Sequence, residues 1–203
     1  MFSGIVQEVG VVESTESVSG ILEIAVFSTS KVMNNLRVGD SVAVNGCCQT
    51  VVSKNEELFK IQATQETIAK TNLRNLMKGS KVNLETPLKL GDQISGHLVS
   101  GHVDAVGEVS EIIFSDENRM VKILFPKQLR DFIASKGSIT VNGVSLTIVD
   151  LREDEFNFAL IPYTRDNTNL GLIKAGDLVN LEVDLVSRYL VNYLQNNVNL
   201  VKR

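Results

Sequence analysis

The sequence predicts a mostly β protein in which one small antiparallel domain occurs twice and a terminal helix follows. Three observations support this prediction: an internal repeat, short Val-rich segments of alternating polarity, and an apolar stripe at helical spacing near the end. The repeat keeps one offset of 97 positions, so that Asn45-Gly46 returns as Asn142-Gly143 and Ser3-Gly4 returns as Ser100-Gly101. One long period indicates two domains of about 90 residues each rather than a solenoid.

Each copy contains five segments with the alternation of half-buried strands, bounded by Gly, Asn, Asp and Ser. They span residues 5–14, 21–28, 41–53, 57–63 and 81–86 in the first copy, and 102–112, 120–126, 138–150, 155–162 and 178–184 in the second. Because 41–53 and 138–150 each contain an Asn-Gly pair, each favours a tight turn within the segment. Five or six strands at this spacing are typical of a small barrel or sandwich.

Two short helices are expected in each copy, over residues 30–39 and 66–79 and over the matching 125–137 and 164–176. Pro126 stands where a first helical turn tolerates proline, and Gly137 stands where a C-terminal cap is expected. Gly79 and Gly176 are expected to end the other two helices. The predicted domains are therefore 1–88 and 98–185, joined by a linker at 89–97 that has no partner in the repeat.

The tail at 186–203 has no counterpart in the first copy. Its apolar residues Leu190, Leu194, Val198 and Val201 form one stripe along a helix. The stripe has two candidate partners: the protein's own barrel, or a short bundle with the same helix from other subunits.

Apolar content and charge are ordinary for a soluble globular protein. The net charge of −4 and the scattered Lys and Arg residues give no support to a nucleic-acid partner. No window approaches the roughly 18–20 apolar residues of a membrane span, and the first residues lack the pattern of a signal peptide. Cys47 and Cys48 are adjacent, and the spacing of His97 and His102 matches no zinc motif. We therefore expect a cytoplasmic protein with reduced thiols and without a metal or membrane contact.

Small polar side chains form a matching pair of candidate binding positions. If both segments are extended, Cys48 and Thr50 share one face of the first, and Ser145 and Thr147 share the same face of the second. We call the pair Cys48 and Thr50 the first ledge, and Ser145 and Thr147 the second ledge. Either ledge can hydrogen-bond the edge of a heterocycle, although Ser and Thr also commonly satisfy local backbone groups.

Two further differences between the copies concern ionisable residues. His102 stands where the first copy has Ile5, and Asp184 stands where it has Pro87. A histidine there can shuttle protons near neutral pH, although a histidine beside a glycine on a strand is more often structural. By itself, the position of Asp184 favours an N-cap for the terminal helix.

The chain resembles the riboflavin synthase family. The segments that carry the resemblance are MFSGIV, VNGCCQTV, QETIAKTNL, GHLVSGHVD, VNGVSLTIV, LIPYTRDNTNLG and VNLEVDL, and they span nearly the whole chain in order. The resemblance implies two six-stranded antiparallel Greek-key barrels and a C-terminal helix that assembles a homotrimer. It also implies the dismutation of two 6,7-dimethyl-8-ribityllumazine molecules without a cofactor. The active site is then expected between the N-terminal barrel of one subunit and the C-terminal barrel of the next. An association with lumazine synthase is a further possible partnership.

The resemblance also implies ligand contacts in each barrel. Those in the first barrel are Gly4, Ile5, Val6, Cys48, Gln49, Thr50, Gln62, Ala63, Thr64, Gln65, Glu66 and Thr67. Those in the second barrel are Gly101, His102, Val103, Lys136, Ser145, Leu146, Thr147, Leu160, Ile161, Pro162, Tyr163, Thr164 and Arg165.

The catalytic residues implied in this way are His102, Ser145, Thr147, Asp184 and Cys48. Our hypothesis is that His102, Ser145 and Thr147 move protons at one ring, that Asp184 polarises nearby groups, and that Cys48 adds to a ring or contacts it. The main alternative is a non-catalytic lumazine or flavin carrier, like the bacterial antenna that resembles this family. A purely structural tandem barrel is a second alternative.

Overall fold

The computed structural model describes residues 1–115 and 118–197. The strands of the first half are β1 Glu8–Val18, β2 Ile21–Phe27, β3 Ser41–Val44, β4 Cys47–Lys54, β5 Leu58–Ala63 and β6 Lys81–Glu85. Those of the second half are β7 Ala105–Ser115, β8 Asn118–Leu124, β9 Ser138–Val141, β10 Val144–Thr147, β11 Glu155–Leu160 and β12 Leu178–Val183. The helices are α1 Ser30–Met33, α2 Gln65–Lys70, α3 Pro162–Asn167 and α4 Leu185–Asn196, with 3₁₀ turns at Asn72–Asn75, Lys127–Phe132 and Asn169–Gly171.

Both halves fold into six-stranded antiparallel barrels, which confirms the predicted fold class. The first barrel is closed in the order β1-β2-β5-β4-β3-β6, and the second follows the same order but lacks a β10–β11 ladder. Just beyond β10, the Val149 N–H donates to the Asn157 carbonyl (2.9 Å), and the Asn157 N–H donates to the Asp150 carbonyl (3.0 Å). These bonds nearly close the second barrel, so few sheet edges are left open.

Each barrel has its own apolar core, built from the inward residues of alternating strands. Phe59, Ile61 and Leu84 are fully buried in the first core, and Phe156 and Phe158 are buried in the second. On β4 the inward positions alternate with half-buried Cys48 and exposed Thr50, so the first ledge faces outward as predicted. Ser145 and Thr147 repeat this pattern on β10.

The helices after β5 and β11 are shorter than predicted, because a threonine interrupts each of them. Thr71 and Thr168 take extended backbone angles. Their hydroxyls donate to the Thr67 and Thr164 carbonyls (2.7 Å each) and accept from the next 3₁₀ turn. A side chain that satisfies backbone groups on both sides makes a stop and restart favourable.

The expected helix over residues 125–137 is also wrong in detail. The segment forms only a 3₁₀ turn over Lys127–Phe132, with Pro126 as the preceding residue rather than in the first turn. Gly137 does not cap it, because the turn ends earlier, with Ile133 as its C-cap. The left-handed residue next to Gly137 is Lys136 (φ +66°). The segment 30–39 likewise contains one turn of α-helix, Ser30–Met33.

The terminal helix α4 begins at Leu185, and Asp184 is its N-cap: the carboxylate Oδ1 accepts from the Val186 N–H (2.8 Å). The N-cap prediction for Asp184 is therefore confirmed. Arg188 anchors the first turn to the second barrel through two hydrogen bonds to Asp104, at 2.6 and 2.9 Å.

The apolar stripe of α4 is left uncovered in the single chain. Leu190 and Leu194 of the predicted stripe are exposed, and so are the neighbouring Val186, Tyr189 and Tyr193, which extend the stripe within α4. Their spacing is that of one helix face. Of the described helix, no residue is buried, so the chain's own barrel does not cover the stripe. The predicted stripe residues Val198 and Val201 lie outside the described residues.

Six buried asparagines join the two barrels across the pseudo-two-fold axis of the repeat. They form three pairs at the repeat offset: Asn45 with Asn142, Asn72 with Asn169, and Asn83 with Asn180. The Asn83 amide donates to the Asn142 carbonyl (2.9 Å), and the Asn180 amide donates to the Asn45 carbonyl (2.8 Å). The backbone N–H groups of Asn72 and Asn169 donate to Asn180 and Asn83 Oδ1, at 2.6 and 2.7 Å. Loss of one amide would strand a buried partner, which typically costs about 1–3 kcal/mol.

Two hairpin turns meet at the centre of this network. Asn45 and Gly46 have φ of +47° and +75°, and Asn142 and Gly143 have +47° and +78°, as a type I′ turn requires. A Cβ on Gly46 would lie 2.6 Å from the Gly143 nitrogen, and a Cβ on Gly143 would lie 2.7 Å from the Gly46 nitrogen. The two backbones can approach this closely only because both residues are glycine.

Gly46→Ala is expected to lower the free energy of unfolding by more than about 3 kcal/mol, since it adds a clash with backbone to the strain of a positive φ. Gly39→Ala is the matched control: its φ is +91°, but a Cβ there meets nothing within 4 Å. The control should lose only about 1–2 kcal/mol. Urea unfolding of both variants measures the difference, and equal losses would contradict the close approach of the turns.

Candidate active site

The first ledge opens into a cleft of about 340 Å³ that both halves of the chain form, and we call it the Cys48 cleft. Its lining residues are Cys47, Cys48, Glu66, Thr67, Lys70, Thr71, Gly101, His102, Val103, Asp104 and Arg188. The Cys48 N–H donates to the Gly101 carbonyl (2.8 Å). A Cβ on Gly101 would lie 2.6 Å from the Cys48 Cβ, so glycine permits this approach. It brings the exposed His102 into the same cleft as Cys48.

The second ledge has the same arrangement with the halves exchanged. The Ser145 N–H donates to the Gly4 carbonyl (2.7 Å), and a Cβ on Gly4 would lie 2.7 Å from the Ser145 Cβ. Val6 packs against the core of the second barrel, and Val103 packs against the core of the first. Each ledge is therefore completed by a segment from the other repeat.

This exchange corrects the predicted grouping of the site residues. Gly4, Ile5 and Val6 were expected beside the first ledge, but they lie with the second barrel; Gly101 to Val103 lie with the first barrel. Within one chain His102 does not lie beside Ser145 and Thr147, because it lines the Cys48 cleft. The hypothesis that these three residues move protons at one ring, in a site shared by two subunits, stays a prediction. The repeat reveals equivalent positions, but it cannot show that these segments cross over.

Two buried glutamates hold the crossing segments. Glu85 accepts from the Ser3 N–H (2.8 Å), the Ser3 hydroxyl (2.9 Å) and the Gly4 N–H (3.1 Å). Glu182 makes the same three bonds to Ser100 and Gly101, at 2.7, 2.6 and 3.0 Å. Each carboxylate binds two consecutive backbone N–H groups, of Ser3 and Gly4 or of Ser100 and Gly101. The carbonyls of Gly4 and Gly101 then point to the ledges. The sequence analysis assigned these glutamates no role.

Burial raises the pKa of both Glu85 and Glu182, although the hydrogen bonds from Ser3 and Ser100 oppose the shift. Because the pKa of each group is raised on folding, the folded protein binds more protons than the unfolded chain at pH values between the unfolded and the folded pKa. Stability from these two groups is therefore present at low pH and is lost as the pH rises through their folded-state pKa values.

His97 is the functional candidate that the sequence analysis missed, since there it was weighed only as a metal ligand. Its ring Nδ1 lies 2.8 Å from the Ser145 hydroxyl oxygen, and its backbone N–H donates to the Ser3 carbonyl (3.2 Å). Burial lowers the pKa of His97, and the Asp184 carboxylate partly opposes that shift. A mostly neutral imidazole thus faces Ser145 at neutral pH.

The two cysteines differ in their surroundings. Cys47 points into the first core, and burial raises its pKa to about 12, so it stays a thiol at neutral pH. Cys48 faces the cleft and is half-buried. Gln49 points inward, where its amide donates to the Cys47 Sγ (3.2 Å) and the Cys48 carbonyl (2.7 Å). Cys47 also lines the cleft, but it is buried in the first core, so Cys48 offers the more accessible thiol.

Four predicted contact residues have their side chains inside the barrels: Gln49, Ala63, Leu146 and Leu160. A ligand on a ledge could meet them only through the backbone. Lys136 is exposed and donates its N–H to the Ile148 carbonyl (2.9 Å), away from the lining of the Cys48 cleft.

The remaining predicted contacts lie around α2 and α3. Thr64 caps α2, and Thr67 lines the Cys48 cleft. Ile161 and Pro162 begin α3, and Thr164 is the repeat counterpart of Thr67. Others already have polar partners: Gln62 bonds Glu23, Glu66 pairs with Lys70, and Arg165 pairs with Asp166. Gln65 covers Gly20, and Tyr163 is exposed.

In the part of the chain that the structure describes, no group of three or more His, Cys, Asp or Glu residues could hold a metal ion. None of the described helices is both long and apolar enough to cross a membrane.

Comparison with known proteins matches the two halves separately to one family model, the lumazine binding domain, at residues 3–87 and 100–184. Riboflavin synthase of Mycobacterium bovis is 40% identical over 97% of this chain and 99% of its own. Riboflavin synthase of Actinobacillus pleuropneumoniae is 38% identical over 96% of this chain and 90% of its own. The chain belongs to the riboflavin synthase family.

Solved structures agree with this membership of the riboflavin synthase family. LumP complexed with riboflavin superposes with a TM-score of 0.85 at 29% identity, over 90% of this chain and 99% of LumP. LumP complexed with 6,7-dimethyl-8-ribityllumazine superposes with a TM-score of 0.83 at 28% identity and the same coverage. LumP thus binds these ring systems with an architecture that superposes on the tandem barrel of this chain.

The double variant Glu85→Gln, Glu182→Gln should be less stable, by about 1–3 kcal/mol for each site, because an amide cannot accept all three donors. It should also lose less stability than the unchanged protein as the pH rises above 4.5, since the two groups with raised pKa values are gone. Urea unfolding between pH 4.5 and 7 measures both effects. Glu13→Gln, which removes an exposed pair with Lys78, is the control and should change little. An unchanged pH slope in the double variant would contradict the assignment.

Proposed function

We propose that this protein is a riboflavin synthase that dismutates two molecules of 6,7-dimethyl-8-ribityllumazine. A four-carbon unit passes from one molecule to the other, and the products are riboflavin and 5-amino-6-ribitylaminouracil. The observation that carries the proposal is the pair of equivalent ledges with unlike chemistry: Cys48 with His102 on one, and Ser145 with His97 on the other. Equivalent shapes suit two copies of one substrate, and unlike groups suit their different fates.

The ledges fit a flat heterocycle. An outward thiol or hydroxyl lies next to a backbone carbonyl in both cases, and the glycines beside Cys48 and Ser145 leave room for close approach. The lumazine ring is electron-poor and its C7 methyl protons are acidic, so a base at one ring and a nucleophile at the other are required. His102 is exposed in the Cys48 cleft and can take a proton there. General acid–base catalysis contributes about two to four decades of rate.

Much of the remaining acceleration would come from holding two rings in reacting geometry, which is worth up to roughly 7–11 kcal/mol in well-oriented systems. Within one chain the crossing segments assign His102 and Ser145 to different ledges. In the proposed homotrimer, the N-terminal barrel of one subunit faces the C-terminal barrel of the next, so that the two ledges contribute to one site. The uncovered stripe on α4 supports such an assembly.

A carrier function is the second candidate, because LumP, whose structures contain riboflavin or the lumazine, superposes closely on this chain. Under that function the barrels would bind the ring system without turnover.

Incubation with 6,7-dimethyl-8-ribityllumazine alone separates the two candidates. We expect one riboflavin for every two lumazines consumed, because one molecule gives its four carbons to the other, and absorbance and fluorescence measure both. His102→Ala should lower kcat by about 10²-fold or more, since it removes the exposed base of the Cys48 cleft. Tight binding without riboflavin formation would favour the carrier instead.

Leu190→Glu with Leu194→Glu should convert a trimer into monomers, because the two charges would be buried in a helix bundle. Sedimentation velocity measures the mass. Gln195→Glu is the control: it adds a charge to the same helix on the side that faces Leu129 and Phe132. A stripe variant that keeps its mass would contradict the role of α4 in assembly.

A further inference from the structure

The end of the linker between the barrels lies directly over Ser145. A Cβ on Gly96 would lie 2.2 Å from the Ser3 carbonyl oxygen and 2.8 Å from the Ser145 Cβ, so only glycine fits there. The next residue, His97, is fixed by its N–H bond to the Ser3 carbonyl (3.2 Å). Glu85 holds Ser3 in turn through two hydrogen bonds. The linker thus brings one imidazole to one hydroxyl with little freedom to move.

The contact has the geometry of a nucleophile and its base. His97 Nδ1 and Ser145 Oγ are 2.8 Å apart, within the range for proton transfer between a serine and a histidine. Both side chains are half-buried at the rim of the second ledge. Asp184, at the start of α4, is the acidic residue whose carboxylate acts electrostatically on the imidazole. Its negative charge favours a ring that has taken up a proton.

We infer that His97 is the positioning residue that accepts the hydroxyl proton of Ser145, and that this makes Ser145 the nucleophile toward the ligand of the second ledge. The inference rests on the proposed function. As a lone pair of Ser145 Oγ forms a bond to an electron-poor ring carbon, the π pair of the attacked C=N bond moves to the ring nitrogen. The hydroxyl proton passes to His97 Nδ1, and the reverse transfer releases the ring.

The inference gives the two histidines separate tasks. His102 lies in the Cys48 cleft with Glu66, Lys70, Asp104 and Arg188 around it, whereas His97 faces Ser145. The charged groups near His97 are Asp184, from the start of α4, and Glu85, which lies behind Ser3 on β6. Of these two, Asp184 is the group whose charge raises the pKa of the imidazole. Its N-cap bond to Val186 fixes its position.

Imidazole ¹⁵N NMR of the full chain tests the direction of the hydrogen bond. The chain has only two histidines, so the His102→Gln variant assigns the signals of His97. We expect His97 to carry its proton on Nε2, with Nδ1 as an acceptor, and to lose that preference in Ser145→Ala. A proton on Nδ1 in the unchanged protein would overturn the inference, because His97 would then donate to Ser145. This test needs no turnover, so it remains decisive if the proposed function fails.

A double-mutant cycle tests the consequence for rate. His97→Ala and Ser145→Ala should each lower kcat by about 10²- to 10⁴-fold, and the double variant should be no slower than the worse single variant. Added imidazole should restore part of the activity of His97→Ala but none in the double variant. Additive losses of kcat, or rescue of the double variant by imidazole, would overturn the inference. Riboflavin formation by the unchanged protein would still support the proposed function in that case.

Discussion

The contact between the two Asn-Gly turns is the constraint on which the rest of the structure depends. Gly46 and Gly143 bring two backbones together where no side chain fits, and the amides of Asn83 and Asn180 donate to the turn carbonyls of Asn142 and Asn45 beside them. Buried amide networks are favourable only when their members are fully paired. The network therefore fixes both the distance and the rotation between the barrels, and with them the path by which each crossing segment reaches the other half.

The two ledges depend on this fixed relation. Glu85 and Glu182 belong to the last strands of their barrels, yet the backbone that they hold contacts Ser145 and Cys48 of the opposite barrels. A small rotation between the barrels would separate the Gly4 and Gly101 carbonyls from their partners. The inter-barrel contact thus controls the geometry of both ledges, even though none of its asparagines lines the Cys48 cleft.

Local patterns predicted the strands well, because period-two alternation and Asn-Gly turns act within a few residues. The helices were harder: Thr71 and Thr168 bond backbone groups on both sides, and this competes with helix continuation in a way that apolar spacing does not reveal. The ledges on β4 and β10 were found from alternation alone. The exchange of Gly4 and Gly101 between barrels was missed, because it depends on tertiary contacts with no local signature. His97 was undervalued for a related reason, since it lies in the one linker that the repeat leaves unmatched.

The pairing across the axis also bears on how the two copies can diverge. Gly46 and Gly143 are repeat counterparts that contact each other there, and the buried asparagines bond asparagines of the other repeat, so a change on one side needs a compensating change on the other. At the rim the counterparts do not meet, and single replacements such as Ile5 against His102, Cys48 against Ser145 or Pro87 against Asp184 have accumulated in this chain. A duplicated domain of this kind preserves symmetry at its axis while each rim acquires its own chemistry. Differences between the halves are thus the most direct record, within a single sequence, of where the two ledges and their surroundings became unequal.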